Sequence, residues 1–174
     1  ANGVVTAVAE GTAVITATAG GKAATTTVTV EADSEAPTFE GIFPAVLPGE
    51  VNNRVIPSGE TFSLSIFADD NGALYELEID HNISNLPEFS VYADENDPYG
   101  GQETQFTTLG VNVAYDAEQK KWDIDFGDVI TQTFVNEDVV IFYLVIKDIS
   151  GNACGSMSPT TDDNTFKYSL YNSI

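Results

Sequence analysis

Acidic side chains gathered at turns are the residues best suited to chemistry in this chain. Three clusters carry them: Asp69-Asp70-Asn71, Asp94-Glu95-Asn96-Asp97 and Asp162-Asp163-Asn164. Carboxylate and amide oxygens are hard ligands, and a convergent set of them holds a divalent cation. None of the clusters follows the EF-hand loop. After Asp94 and Asn96 the fifth position is Pro98, which has no side-chain oxygen. A second arrangement is Asp123 and Asp125, two apart and hence on one face of a strand. Carboxylate pairs on sheets can cleave glycosidic bonds. Here they alternate with Trp122, Ile124 and Phe126, which places them on a solvated face. His81 is the sole histidine and Cys154 the sole cysteine. A zinc site or a histidine-based triad lacks its partners, and Cys154 has no histidine nearby to activate its thiol. One cysteine also excludes an internal disulfide.

Those side chains depend on strands to hold them. The segment 61–68 alternates, with Phe62, Leu64, Ile66 and Ala68 inward and Thr61, Ser63 and Ser65 outward. The segment 74–80 alternates again, with Tyr75, Leu77 and Ile79 in and Glu76, Glu78 and Asp80 out. A one-residue slip there would bury three carboxylates, so its register is well specified. Further strands are expected at 39–43, 89–93, 106–115, 121–126, 129–134, 139–148 and 165–171. Segments 106–115 and 121–126 read as a hairpin. Segment 139–148 is apolar on both faces and so belongs in the middle of a sheet. No segment has a helical period. Short strands at regular spacing indicate a sandwich or barrel.

The charge excludes some partners. Asp and Glu number 27 against six Lys and Arg, a formal charge of -21. Such a surface repels nucleic-acid phosphates and anionic lipid heads. No apolar run approaches the ~20 residues that span a bilayer, and no basic-then-apolar start marks a signal peptide in this piece. The acidity suits the solubility of a secreted protein, or the holding of cations.

The opening stretch is dense in Val, Thr and Ile and punctuated by glycine, which reads as three short antiparallel strands at 3–10, 12–19 and 22–31. Its motifs are Asn2-Gly3-Val4-Val5-Thr6-Ala7-Val8, Gly11-Thr12-Ala13, Ile15-Thr16-Ala17 and Thr27-Val28-Thr29-Val30. They resemble the last three strands of a group 2 bacterial immunoglobulin-like domain, the type repeated in surface adhesins and intimins. The resemblance covers the first thirty residues. It implies a partial domain, either begun mid-domain or completed by another polypeptide, since a full one needs about 100 residues and seven strands. An acidic linker follows at 32–36. Two later motifs, ADDNGALYELEI (68–79) and YLVIKDISGN (143–152), are similar to bacterial Ig-like and cadherin-like modules. The antibody version is excluded, because 74–80 has no tryptophan and no cysteine pair exists. The expected fold is therefore all-β: a partial Ig-like domain at 1–31 and an enlarged immunoglobulin-like β-sandwich at 37–174. Asn71-Gly72 is in tension with it, being a tight-hairpin signal where an Ig topology crosses between sheets.

These resemblances imply a non-enzymatic extracellular module of a bacterial surface protein: a stalk, spacer or adhesin domain. Its partners would be neighbouring Ig-like domains or subunits, with a filament if a neighbour completes the open strands, and a host or environmental glycan or protein. The alternative is an accessory carbohydrate-binding module of a secreted glycan-degrading enzyme, using Tyr92, Tyr99, Phe106 and Tyr171 as stacking rings. In an Ig-type sandwich the loops after strands B (61–68), C′ (89–93) and F (139–148) meet at one end. That gathers Asp69, Asp70 and Asn71, the Asp94–Asp97 cluster, and Asp148 with Asn152. The linker, with Glu31, Asp33 and Glu35, should arrive there too. Crowded carboxylates repel by about 1 kcal/mol per pair near ~4 Å in water. Calcium (Ca2+) would reverse that, with Asp33, Asp69, Asp70 and Asp148 as ligands. The competing reading is solvated acidic loops without metal, since Asp and Asn favour turns for backbone reasons.

Overall fold

The computed structural model describes residues 4–52, 61–134, 138–155 and 165–169. The chain divides into two units, Ala1–Ser34 and Glu35–Ile174. The first is built on a hairpin of β1 (Gly11–Ala19) and β2 (Lys22–Val30), paired without interruption from Gly11↔Val30 to Ala19↔Lys22. Gly20 and Gly21 both have positive φ (57° and 75°). That is the tight turn whose twist matches antiparallel strands and which only glycine-like residues make cheaply. The register sets Ala13, Ile15 and Ala17 opposite Val28, Thr26 and Ala24, so the two small stripes share one face. Even there only Ile15, Val28 and Val30 are half-buried. The third expected strand is a correction. Residues 4–10 form no strand, and Val4, Val5 and Val8 are exposed. Branched side chains favour an extended backbone, but a strand exists only where a neighbour accepts its hydrogen bonds.

The second unit is an all-β sandwich. One sheet has the order β3 (Thr38–Phe43), β5 (Ser63–Asp69), β9 (Lys121–Asp125), β8 (Asn112–Asp116), all antiparallel. The other runs β4 (Val51–Asn52), β12 (Thr165–Ser169), β10 (Val139–Asp148), β6 (Leu74–His81), β7 (Phe89–Tyr92). Strand β11 (Ala153–Gly155) also pairs with β10, and β4 runs parallel to β12. The inner faces share one core. Leu64, Ile66, Trp122 and Ile124 of the first sheet, and Leu77, Ile79, Phe142 and Phe166 of the second, are all fully buried. Phe62 stacks on Phe142 across the sandwich, with centroids 6.0 Å apart. The central place of β10, between β6 and β12, explains its apolar run.

Three expectations change. Segment 106–115 begins as α1 (Glu103–Thr108) and only then becomes β8. Phe106 is the buried side chain of that turn of helix, and Gly110, at φ 79°, ends it. Segment 129–134 is α2 (Val129–Thr133), not a strand. Its apolar residues Ile130 and Phe134 are four apart, which puts them on one helical face. Tyr75 points outward at 49% exposure, although the alternation of 74–80 put it inward. The ladder slips between Lys147 and Asp148, pairing Lys147 with Glu76 but Asp148 with Leu74. Tyr75 is the extra residue of that bulge, and Leu74 turns to the core in its place. The turn at Asn71-Gly72 is not a hairpin: it carries the chain from β5 in one sheet to β6 in the other.

Candidate functional site

Strands β5 and β10 both end in acidic turns at one end of the second unit. The Ile149 amide donates to the Ala73 carbonyl at 2.9 Å, tying the two turns together. Asp70 and Asp148 each bring a carboxylate oxygen within 4.8 Å of the other. Asp148 is 1% exposed. It is held by its own turn, with the Asn152 amide donating to Oδ1 at 2.8 Å and Asn152 Nδ2 to Oδ2 at 2.7 Å. Asp70 Oδ2 accepts the Gly72 amide at 2.9 Å. Asp70 Oδ1 is buried and has no hydrogen-bond partner among the described residues. A desolvated carboxylate oxygen without a donor is costly and is normally satisfied by water or a cation. The arrangement thus offers one bare oxygen and a second carboxylate to a shared positive charge.

Asp69 is directed elsewhere. It pairs with Lys120, whose ammonium holds the Asp69 carboxyl below the usual carboxylate range. The same ammonium donates to the Asp70 carbonyl at 3.1 Å. Lys120 is the residue sequence reasoning missed. It is the one non-glycine residue with positive φ (50°) among the described residues, at the end of the β8–β9 turn. The signal was present: a cation closing a turn, in a chain with six Lys and Arg in all. Asn71 Nδ2 donates to Glu35 Oε2 at 2.8 Å, so the start of the second unit reaches the same turn. Of the four sequence-predicted ligands, the second unit brings together Asp70 and Asp148, Asp69 goes to Lys120, and Asp33 belongs to the first unit.

Several other acidic residues serve the backbone. Asp94 Oδ1 accepts the Asn96 amide at 2.8 Å and Asp97 Oδ1 the Gly101 amide at 3.0 Å. Glu95 accepts the Ala117 amide at 3.1 Å. The cluster 162–164 lies outside the described residues. Asp123 is engaged by Lys121 at 2.8 Å and by the Ser65 hydroxyl, and Asp125 accepts the Gly127 amide at 2.8 Å. His81 ends β6, with Nε2 3.2 Å from the Pro87 carbonyl and Nδ1 accepting the Ile83 amide at 3.2 Å. Burial lowers its pKa below the usual 6.5. Cys154 is half-buried against the core. Among the described residues the expected stacking rings do not form an open platform. Phe106 is buried, Tyr99 accepts the Val113 amide at 2.9 Å through its hydroxyl, and Tyr171 lies outside the described residues. Tyr92 packs edge-on against exposed Tyr75, with centroids 5.6 Å apart.

No known protein-family model and no curated protein matches this chain.

Proposed function

We propose that the chain is a non-enzymatic extracellular module of a bacterial surface protein, a stalk, spacer or adhesin domain, and that calcium stiffens its acidic pole. Strand order carries this reading. Taking A, B, C, C′, D, E, F and G as β3, β5, β6, β7, β8, β9, β10 and β12, the strand order reads ABED and, with β4 and β11 as additions, GFCC′, which supports an immunoglobulin-like reading. A rigid sandwich with function confined to its loops suits a repeating surface rod. The bare Asp70 Oδ1 beside Asp148 supports calcium, which accepts loose sets of oxygen ligands. Asp33 remains a ligand offered from sequence, two residues before Glu35. Asp69 would join only by leaving Lys120. The first unit's hairpin suits contact with a neighbouring domain or subunit, since two strands alone are marginal in water.

Two measurements test this. An antibody against the chain should label intact cells of the source organism; labelling only after lysis overturns the surface reading. Thermal unfolding of the full chain should rise with calcium and return with chelator. A melting curve unmoved by millimolar calcium removes the metal. Reproducible turnover of a glycan, abolished by Asp125→Asn, would make the protein an enzyme instead.

A further inference from the structure

We propose that the groove between β7 and α1 binds a neutral saccharide. The groove lies on the open edge of the second unit and encloses about 400 Å³, within the ~300–1,000 Å³ typical of small-ligand sites. Its apolar lining includes Phe89, Phe106 and Leu109, and the Phe89 and Phe106 rings meet edge to face at 5.2 Å. Its polar lining includes Glu88, Ser90, Gln102 and Gln105. The amide side chains of Gln102 and Gln105 make no hydrogen bond to the protein among the described residues, and Gln102 does not use its side chain to cap α1.

Backbone geometry adds a donor and an acceptor. β7 is the edge strand of its sheet. The Ala93 amide donates to Tyr75 on β6, whereas the Tyr92 amide points away and donates to the Pro98 carbonyl at 2.9 Å. Groups alternate along an antiparallel strand, so the N–H and C=O of Ser90 also point away from β6, on the groove side. This edge does not suit another strand. It is stopped at one end by the Tyr92–Pro98 bond and at the other by Pro87, which lacks an N–H and whose carbonyl meets His81. What is left is compact: one backbone donor and acceptor, two free amides, and the half-buried Phe89 and Tyr92 rings as an apolar wall. Sugar hydroxyls donate and accept at once, and sugar C–H groups rest against such a wall, so a saccharide matches this set. Exposed Glu88 in the lining and the net charge of -21 select against anionic sugars. Tyr92, also in the lining, is held in place: a Cβ on Gly100 would fall 2.3 Å from its ring. This site shares no residue with the calcium pole, so either can fail without the other.

The test is a nitrogen-15 NMR titration of the full chain with cellohexaose, xylohexaose, mannohexaose and chitohexaose. Hexagalacturonate and an extended Thr-Val hexapeptide serve as comparisons. At least one neutral sugar should give saturable shifts at the Ser90 amide and the Gln102 and Gln105 side-chain amides. Gln105→Ala, on an exposed helical position where alanine is favourable, should keep the spectrum of a folded protein and weaken that binding about tenfold, as for one lost hydrogen bond. The proposal is overturned if no neutral sugar shifts these signals at ~10 mM. It is also overturned if the shifts map elsewhere, if Gln105→Ala binds equally well, or if only the anionic sugar or the peptide binds.

Discussion

Replacing Asp148 with asparagine separates the metal's contribution from that of the fold. Asp148 is buried, accepts two hydrogen bonds from Asn152 and lies within 4.8 Å of the Asp70 carboxylate. Without metal, two effects oppose. Asparagine has one acceptor oxygen, so the contact with Asn152 Nδ2 becomes donor against donor, a loss of about 1.5–3 kcal/mol for a hydrogen bond to a charged group. Removing the charge also removes its repulsion with Asp70, between about 1 kcal/mol in water and about 3 kcal/mol at an effective dielectric of ~20. The two nearly cancel, so Asp148→Asn in chelator should melt within a few degrees of the parent. With calcium the balance differs. At one hundred times its dissociation constant a ligand adds about 2.7 kcal/mol, which for a unit of this size is roughly 10 °C. The parent should gain that increment and Asp148→Asn should lose most of it. Paired thermal melts of both proteins, with calcium and with chelator, give the double difference. Equal calcium increments would refute Asp148 as a ligand. A large loss for the variant in chelator alone would show that the carboxylate serves the turn and not a metal.

Other consequences follow from the core and the hairpin. Phe142 is fully buried and packs against Phe62, Phe126 and Tyr168, so Phe142→Ala should cost about 3–5 kcal/mol in chemical denaturation; a loss under ~1 kcal/mol would contradict its central place. Burial favours neutral His81, so its imidazole should titrate below 6.5 by NMR. Stability from this group is present above the ordinary histidine pKa and is lost as pH falls through the lowered one, and His81→Gln should flatten denaturation midpoints across that window. The β1–β2 hairpin buries no residue fully, whereas β10 lies at the centre of a sheet. Hydrogen exchange should therefore release amides 11–30 at least ~100-fold faster than those of β10, and equal protection would show that the hairpin is packed against something.

Alternation specifies most of the sandwich. The inward sets Phe62, Leu64, Ile66 and Ala68, then Trp122, Ile124 and Phe126, are all buried. Period-two patterning survives any packing that covers one face of a sheet, so it can be read locally. Likewise the doubly apolar 139–148 could only be central. What was lost is what depends on a neighbour. Residues 4–8 have the composition of a strand and no ladder partner among the described residues. Residues 129–134 are mostly β-branched, yet one buried isoleucine and a following phenylalanine four residues on were enough to coil them. The bulge that exposes Tyr75 arises from pairing with β10, which 74–80 cannot register alone. The acidic pole divides in the same way. The sequence by itself placed Asp69 and Asp70 in a turn, because Asp and Asn hydrogen-bond their own backbone there, and Asp148 at the end of a strand. Only the tertiary structure decided that Lys120 takes Asp69, and that Asp70 meets Asp148 with one oxygen bare. A carboxylate's neighbours across the fold come from strand order and loop direction, and these are set by the packing of two sheets.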